Sequence, residues 1–174
     1  MSDRAQEILD YYVTLTKDVA RRSTCKRRKI GAIAVLDDRI VATGFNGQIP
    51  GTPHCSVCLR DILNIPSGQD TNTCRAIHAE QNLIVQAACH GVSLKGATIY
   101  CTHKPCYTCF KMLMSLFPLA IIYEEDYPCS QTDREMAANS WFGFSWGSWH
   151  IVGRQPLAAQ PLLGIAKGIT YAHP

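Results

Sequence analysis

The sequence predicts an α/β sandwich with a partly parallel sheet, and three observations carry that expectation. Short apolar runs rich in β-branched residues alternate with longer segments of helical spacing. The order is strand, helix, strand rather than a block of each, which favours parallel neighbours in one sheet. Hydrophobic residues make up 47% of the 174 and charged residues 18%, enough for one packed core and too short a chain for two comfortable ones. Residues 1–174 therefore read as a single domain.

Taken in order, Ser2-Asp3 can cap a helix over about 3–20, where Ile8, Leu9, Tyr12, Leu15 and Val19 fall at helical spacing. "KIGAIAVLDDRIVATGFNG" (29–47) reads as two strands joined by a tight turn at Asp37-Asp38. Residues 48–74, rich in Gly, Pro, Ser and Asn, form a long irregular excursion with one short helix at most. A loop of that length in a small domain is usually functional or held by something other than a core. A helix over about 76–90 follows, then a buried strand "ATIYCT" (97–102), a helix over about 105–117 opened by Pro105, and a strand "LAIIYEE" (119–125). Past residue 128 the pattern degrades. "SWFGFSWGSWHIV" (140–152) holds all three tryptophans and reads as an aromatic hairpin or edge, with a base-stacking platform as the alternative.

Composition excludes several classes. A net charge of +3 is too mild to argue for nucleic acid by itself. The basic run "RRSTCKRRK" (21–29) is either a solvated face or an edge that meets phosphate. No apolar stretch approaches the roughly 18 residues of a spanning helix, and "MSDRAQEILDYYV" lacks the apolar core of a signal peptide. A soluble, cytoplasmic protein is expected. Nine cysteines in a reducing compartment are not there for disulfides, which leaves metal binding as the leading explanation.

Two of the motifs support each other. In "HKPCYTC", Cys106 and Cys109 sit at the start of a helix, where backbone N–H groups and the helix dipole favour thiolates. In "AIHAEQNLI", His78 and Glu80 open another. Two thiolates and one imidazole make three ligands for a tetrahedral Zn²⁺ and leave one position open, the layout of a catalytic rather than a structural metal. Glu80 then has a purpose: hydrolysis needs a group that takes a proton from water and passes it to the leaving group. Alone, H-x-E is most often a helix start and C-x-x-C a redox pair or half a zinc knuckle. Together, H-x-E…P-C-x-x-C is the pattern of the zinc deaminases that act on nucleobases.

The chain resembles the cytidine/deoxycytidylate deaminase superfamily, and most closely its deoxycytidylate (dCMP) deaminase branch. The likeness covers about residues 4–128 and rests on "RSTCKRRKIGAIAV", "GFNGQIPGTPHC", "CRAIHAEQNLI", "GATIYCTHKPCYTC" and "IIYEEDY"; residues 129–174 depart from it. The resemblance implies a three-layer α/β/α fold with a mixed five-stranded sheet. It implies His78, Cys106 and Cys109 as ligands of a catalytic zinc and Glu80 as the catalytic proton shuttle. Asn46 and Tyr127 match residues at the substrate, and Ser23, Arg27 and Arg28 lie near the loop that faces the nucleotide. The implied reaction is hydrolytic deamination of dCMP to dUMP with release of ammonia, in nucleotide metabolism. Alternatives are a tRNA or other polynucleotide base, a modified cytosine nucleotide, or a zinc-stabilised binding protein without catalysis. Asn46 and His78 are separated by 31 residues, an insertion typical of the dCMP branch. That branch commonly forms hexamers switched on by dCTP, with Mg²⁺, and off by dTTP near the segment matched here by Gly44, Phe45, Asn46 and Gly47.

The insertion carries a second expectation. "CSVC" places Cys55 and Cys58 at zinc-knuckle spacing, Cys74 returns at the far end of the loop, and Cys25 lies in the basic run. These four are expected to hold a structural zinc, with His54 as a substitute ligand. Cys89, Cys101 and Cys129 read as buried small hydrophobes.

Overall fold

In the computed structural model, the described residues are 3–138, 142–146 and 148–153. Their main sheet has strands β1 (Gly31–Leu36), β2 (Arg39–Phe45), β5 (Thr98–His103), β6 (Ala120–Glu125), β7 (Phe142–Trp146) and β8 (Trp149–Gly153), in the order β2-β1-β5-β6-β8-β7. Only β5 and β6 run parallel; the other neighbours are antiparallel. The mixed α/β sheet expected of five strands is present, and β7 adds a sixth at the edge. A separate two-stranded ribbon pairs β3 (Gly47–Gln48) with β4 (Ala76–Ile77), tying the two ends of the insertion together.

Helices cover both faces. α1 (Asp3–Ala20) buries Leu9, Tyr12 and Val13 against Ile33, Val35, Tyr100, Ile122, Trp149 and Ile151. On the opposite face α3 (Ala79–Cys89) and α4 (Tyr107–Ser115) bury Leu83, Ala87, Phe110 and Leu113 against Ala32, Ala34, Ile99 and Ile121. Ala32 and Ala34 face one way and Ile33 and Val35 the other, the period-2 alternation of a strand buried on both sides. The small residues lie where α3 approaches closest. Gly44 makes the same point: a Cβ there would stand 2.2 Å from the carbonyl oxygen of Ala79 and 2.4 Å from the nitrogen of Leu83. A side chain on β2 would push α3 off the sheet.

The first helix begins and ends where expected, although Ser2 lies outside the described residues. The Asp37-Asp38 turn is present, with φ of 50° and 60°, the left-handed pair of a two-residue hairpin that Asp tolerates. Two helix starts need correction. Ala76 and Ile77 are extended, so α3 starts at Ala79 with His78 as its N-cap. α4 starts at Tyr107 with Cys106 as its N-cap, and Pro105 lies one residue outside. Between Gln48 and Ala76 the only other regular pieces are α2 (Leu59–Ile62) and a 3-10 turn at Thr71–Thr73.

The C-terminal part, unplaced by pattern, forms α5 (Ser130–Ala138) and the β7–β8 hairpin. Within the aromatic segment, Phe142–Trp146 and Trp149–Gly153 pair as a hairpin, as one of the two readings held, while residues 140, 141 and 147 lie outside the described residues; Trp149 is buried against α1 with the Lys17 ammonium 5.6 Å from the ring centroid. Cys101 is buried and Cys129 half-buried. Cys89 is exposed, contrary to expectation, because it closes α3 on the face turned from the core.

Candidate active site

Both metal-binding motifs are mounted the same way. His78 (φ −71°, ψ 157°) and Cys106 (φ −65°, ψ 164°) are extended cap residues of helices whose inner faces are in the core. The Gln81 side chain accepts a hydrogen bond from the His78 N–H at 3.0 Å, which fixes that cap. Cys109 is one turn into α4 and fully buried. As a result His78 Nδ1 lies 3.4 Å from the sulfur of Cys106 and 3.4 Å from that of Cys109, and the three donor atoms all fall within 4.8 Å of one another. One imidazole nitrogen and two sulfurs at that spacing suit Zn²⁺.

Electrostatics agree with the donor set. Hydrogen bonding from Cys109 and then His78 holds the Cys106 thiol down at about 4, whereas the Cys109 thiol is pushed up, by its bond to Cys106 and by burial. Metal binding requires both thiols as thiolates. His78 is raised, chiefly by its hydrogen bond to Cys106. Glu80, on the first turn of α3, is 5% exposed, and burial pushes its carboxyl above the usual range despite the nearby imidazole. A carboxyl shifted toward neutrality can both take and return a proton.

Glu80, His78 and Cys106 line one partly enclosed cleft. Asn46, Arg27, Arg28 and Tyr127 also line it. Asn46 is held from three sides: its Oδ1 accepts from Ser23 Oγ at 2.6 Å and from the Ile30 N–H at 2.8 Å, and its Nδ2 donates to the Arg28 carbonyl at 2.8 Å. That uses one of its two amide hydrogens. Ser23 is not on the cleft wall. Its hydroxyl also donates to the Asn46 carbonyl at 2.9 Å, so it supports Asn46 from behind. In the glycine-flanked segment, Gly44 is required by the approach of α3, a Cβ on Gly47 would meet Thr24 Oγ1 at 2.7 Å, and Phe45 packs under Arg22, whose guanidinium lies 5.4 Å from the ring centroid.

Cys25, Cys55, Cys58 and Cys74 all line one small neighbouring pocket, and Cys25, Cys58 and Cys74 line the main cleft as well. Among the described residues, no three of these sulfurs come within the spacing reached at His78. Cys55 accepts from Gln48 Nε2 at 2.9 Å, and His54 Nδ1 lies 3.2 Å from Gln48 Oε1.

Three cleft residues escaped the sequence reading. Arg60, from α2, is 9% exposed. His103 is buried, with Nε2 3.1 Å from Glu125, and burial holds its imidazole below the ordinary value. Lys104 is buried between Asp126 at 2.6 Å and Asp133 at 3.0 Å. His103 and Lys104 immediately precede the C-x-x-C motif, a signal that position alone offered. Nothing in the pattern around Arg60 marked it.

A family model for the cytidine and deoxycytidylate deaminase zinc-binding region matches residues 6–125. ComE operon protein 2 of Bacillus subtilis is 40% identical over 117 residues, 67% of this chain and 59% of that protein, so the chain spans under two thirds of that relative. The deoxycytidylate deaminase of Mycobacterium phage D29 is 34% identical over 122 residues, 67% of this chain and 94% of that one. Among solved structures, the dCMP deaminase of cyanophage S-TIM5 in complex with dCMP and dUMP superposes with a TM-score of 0.64 at 29% identity, covering 79% of this chain and 93% of that one. Among the described residues, no helix is long and apolar enough to cross a membrane.

Proposed function

Because the chain belongs to the cytidine and deoxycytidylate deaminase zinc-binding family, we propose that it hydrolyses dCMP to dUMP and ammonia. The observation that carries this reading is one cleft lined by Glu80, by two of three clustered metal donors and by arginines. The phage relatives named for deoxycytidylate support the substrate; the B. subtilis relative, named for an operon, leaves it open.

Zinc held by His78, Cys106 and Cys109 would supply the Lewis acid that makes water a usable nucleophile at neutral pH. Glu80 takes the proton of the attacking water and delivers it to ring N3 as the C4–O bond forms. A second transfer through Glu80 carries the proton of the new C4 hydroxyl to the amino group, and the C4–N bond breaks to release ammonia. Asn46 orients the sugar with its one free amide hydrogen, Tyr127 closes the cleft on the substrate, and Arg27 and Arg28 face the phosphate.

The outer parts of the proposal rest on the resemblance. They are a second zinc on Cys25, Cys55, Cys58 and Cys74, a homohexamer, and control by dCTP with Mg²⁺ and by dTTP at residues 44–47. Packing already accounts for Gly44 and Gly47, so the effector reading stands on kinship alone. A cytoplasmic location suits nine cysteines that are all free. Turnover on a panel of cytosine nucleosides, nucleotides and a tRNA anticodon stem tests the assignment. Activity on the stem and none on dCMP would overturn it.

A further inference from the structure

The two halves of the metal site are fastened by different means. His78 is the N-cap of α3, and Gln81, at the third helical position, accepts a hydrogen bond from its N–H at 3.0 Å. Cys106 is the N-cap of α4, and there the third position holds Cys109, itself a metal donor. A sulfur committed to a metal cannot close the reciprocal cap that glutamine closes. No side-chain bond caps α4.

Support for Cys106 comes instead from α5, which lies outside the residues that the family model matches. Met136 seats that helix against the core that carries α3 and α4. Three of its side chains then meet residues on either side of Cys106. Asp133 takes the Lys104 ammonium at 3.0 Å, and Glu135 lies 3.5 Å from the Tyr107 hydroxyl. Between them Thr132, with no exposed surface, donates its hydroxyl to the Pro105 carbonyl at 3.3 Å. Pro105 is buried too, and its carbonyl stands ahead of the helical ladder, which begins where the Cys106 carbonyl accepts the Phe110 N–H at 2.8 Å. Thr132 thus answers a buried acceptor that α4 itself leaves open.

A peptide unit is planar, so the direction of the Pro105 carbonyl also sets that of the Cys106 N–H joined to it. The tilt of that plane against α4 is the φ of Cys106, −65°, and the Cβ and sulfur follow from it. One residue earlier, the Lys104 N–H is held by the Glu125 carbonyl at 2.8 Å. The chain leading into the ligand is gripped by β6 and by α5. We propose that Thr132 is a positioning residue of the metal site: its hydroxyl holds the Pro105 carbonyl and thereby aims the Cys106 sulfur at the point shared with His78 and Cys109. The proposal rests on the zinc-site reading of those three donors and does not depend on the substrate.

The test compares pairs that differ by one hydroxyl: wild type with Thr132→Val at constant shape, and Thr132→Ser with Thr132→Ala at nearly constant volume. Each protein is loaded with Zn²⁺ for chelator competition and with Co²⁺ for its thiolate-to-cobalt charge-transfer band. Cys106→Ser identifies the part of the band that this site contributes. Outer partners of metal ligands typically change affinity roughly 10- to 100-fold, and because Thr132 acts through a peptide the loss in Thr132→Val should be about ten-fold. The Cys106 band should shift in Thr132→Val and Thr132→Ala and keep its wild-type position in Thr132→Ser. On dCMP, kcat should fall by a similar factor with KM within about two-fold, the pattern of a defect at the reacting centre. An unchanged band and zinc affinity in both hydroxyl-free variants would overturn the proposal whatever their Tm, because lost packing does not move the band of a folded, loaded protein. If Thr132→Val does not fold, the Ser and Ala variants decide on the same measurements. A wild type with no cobalt band sensitive to Cys106→Ser would overturn the zinc-site reading and the proposal with it. A wild type inactive on dCMP would remove the substrate reading alone, and the metal measurements then decide.

Discussion

The chain holds two groups of cysteines a short distance apart, and they are built by different means. The His78, Cys106 and Cys109 donors sit at the starts of two helices that bury Leu83, Ala87, Phe110 and Leu113, and both sulfurs stand 3.4 Å from the imidazole. Around Cys55, Cys58 and Cys74 the backbone is mostly irregular, and Ile49, Val57, Leu59, Ile62 and Leu63 are each at least 48% exposed. Those sulfurs share a pocket without closing on a common point. Ligands carried by core helices inherit their geometry from packing. Ligands carried by a loop need the metal itself to complete it, and the loop then needs the metal.

The largest expected effect falls on the preformed site. Glu80→Gln should retain the zinc of His78, Cys106 and Cys109 and lose on the order of 10²–10⁴ in kcat, the usual share of acid–base catalysis. Rate and metal content measured together decide it, and a variant within a few-fold of wild type would refute the shuttle. Gly44→Ala attacks the same site through the core. Its Cβ meets the backbone of α3, so we expect a loss of about 1–3 kcal/mol in denaturant unfolding, typical of overpacking, and weaker zinc binding as His78 moves with the helix.

The loop site should respond in the opposite sense, losing order before activity. Metal analysis should find two zinc ions per chain in wild type and one in Cys55→Ser. That variant should be cut by protease within residues 49–75, with α3 and α4 intact. One zinc per fully loaded wild-type chain would make both regions depend on packing alone.

The smallest effect concerns pH. The hydrogen bond from Lys104 holds the Asp126 carboxyl below the usual carboxylate range. A depressed native value contributes stability above the unfolded pKa and loses it as pH falls through the native one. Burial acts to lower Lys104, but its pairs with Asp126 and Asp133 outweigh this and leave it raised, so its contribution disappears as pH rises through the native value. Because the Asp126 side chain is 73% exposed, screening keeps the effect small. The Tm difference between wild type and Lys104→Met should be steady between about pH 5 and 9 and shrink below about pH 4, within the ordinary Asp and Lys ranges.

What the sequence determined by itself was whatever is encoded locally. The spacing of Leu9, Tyr12 and Val19 places α1, the Asp37-Asp38 pair places the hairpin, and H-x-E with C-x-x-C names the metal donors, because each pattern depends on neighbours a few residues apart. Tertiary structure decided the rest. Two helix starts moved by two or three residues, because Ala76 and Ile77 first pair with β3 and Cys106 caps α4 in an extended conformation. Ser23, expected near the nucleotide, donates its hydroxyl to Asn46, 23 residues away, a contact no local pattern foretells. The β7–β8 hairpin found its place only by pairing with β6. Arg27 and Arg28 meet the insertion through Ile65 and Ser67, 38 and 39 residues away, a long-range packing outcome that no local pattern records.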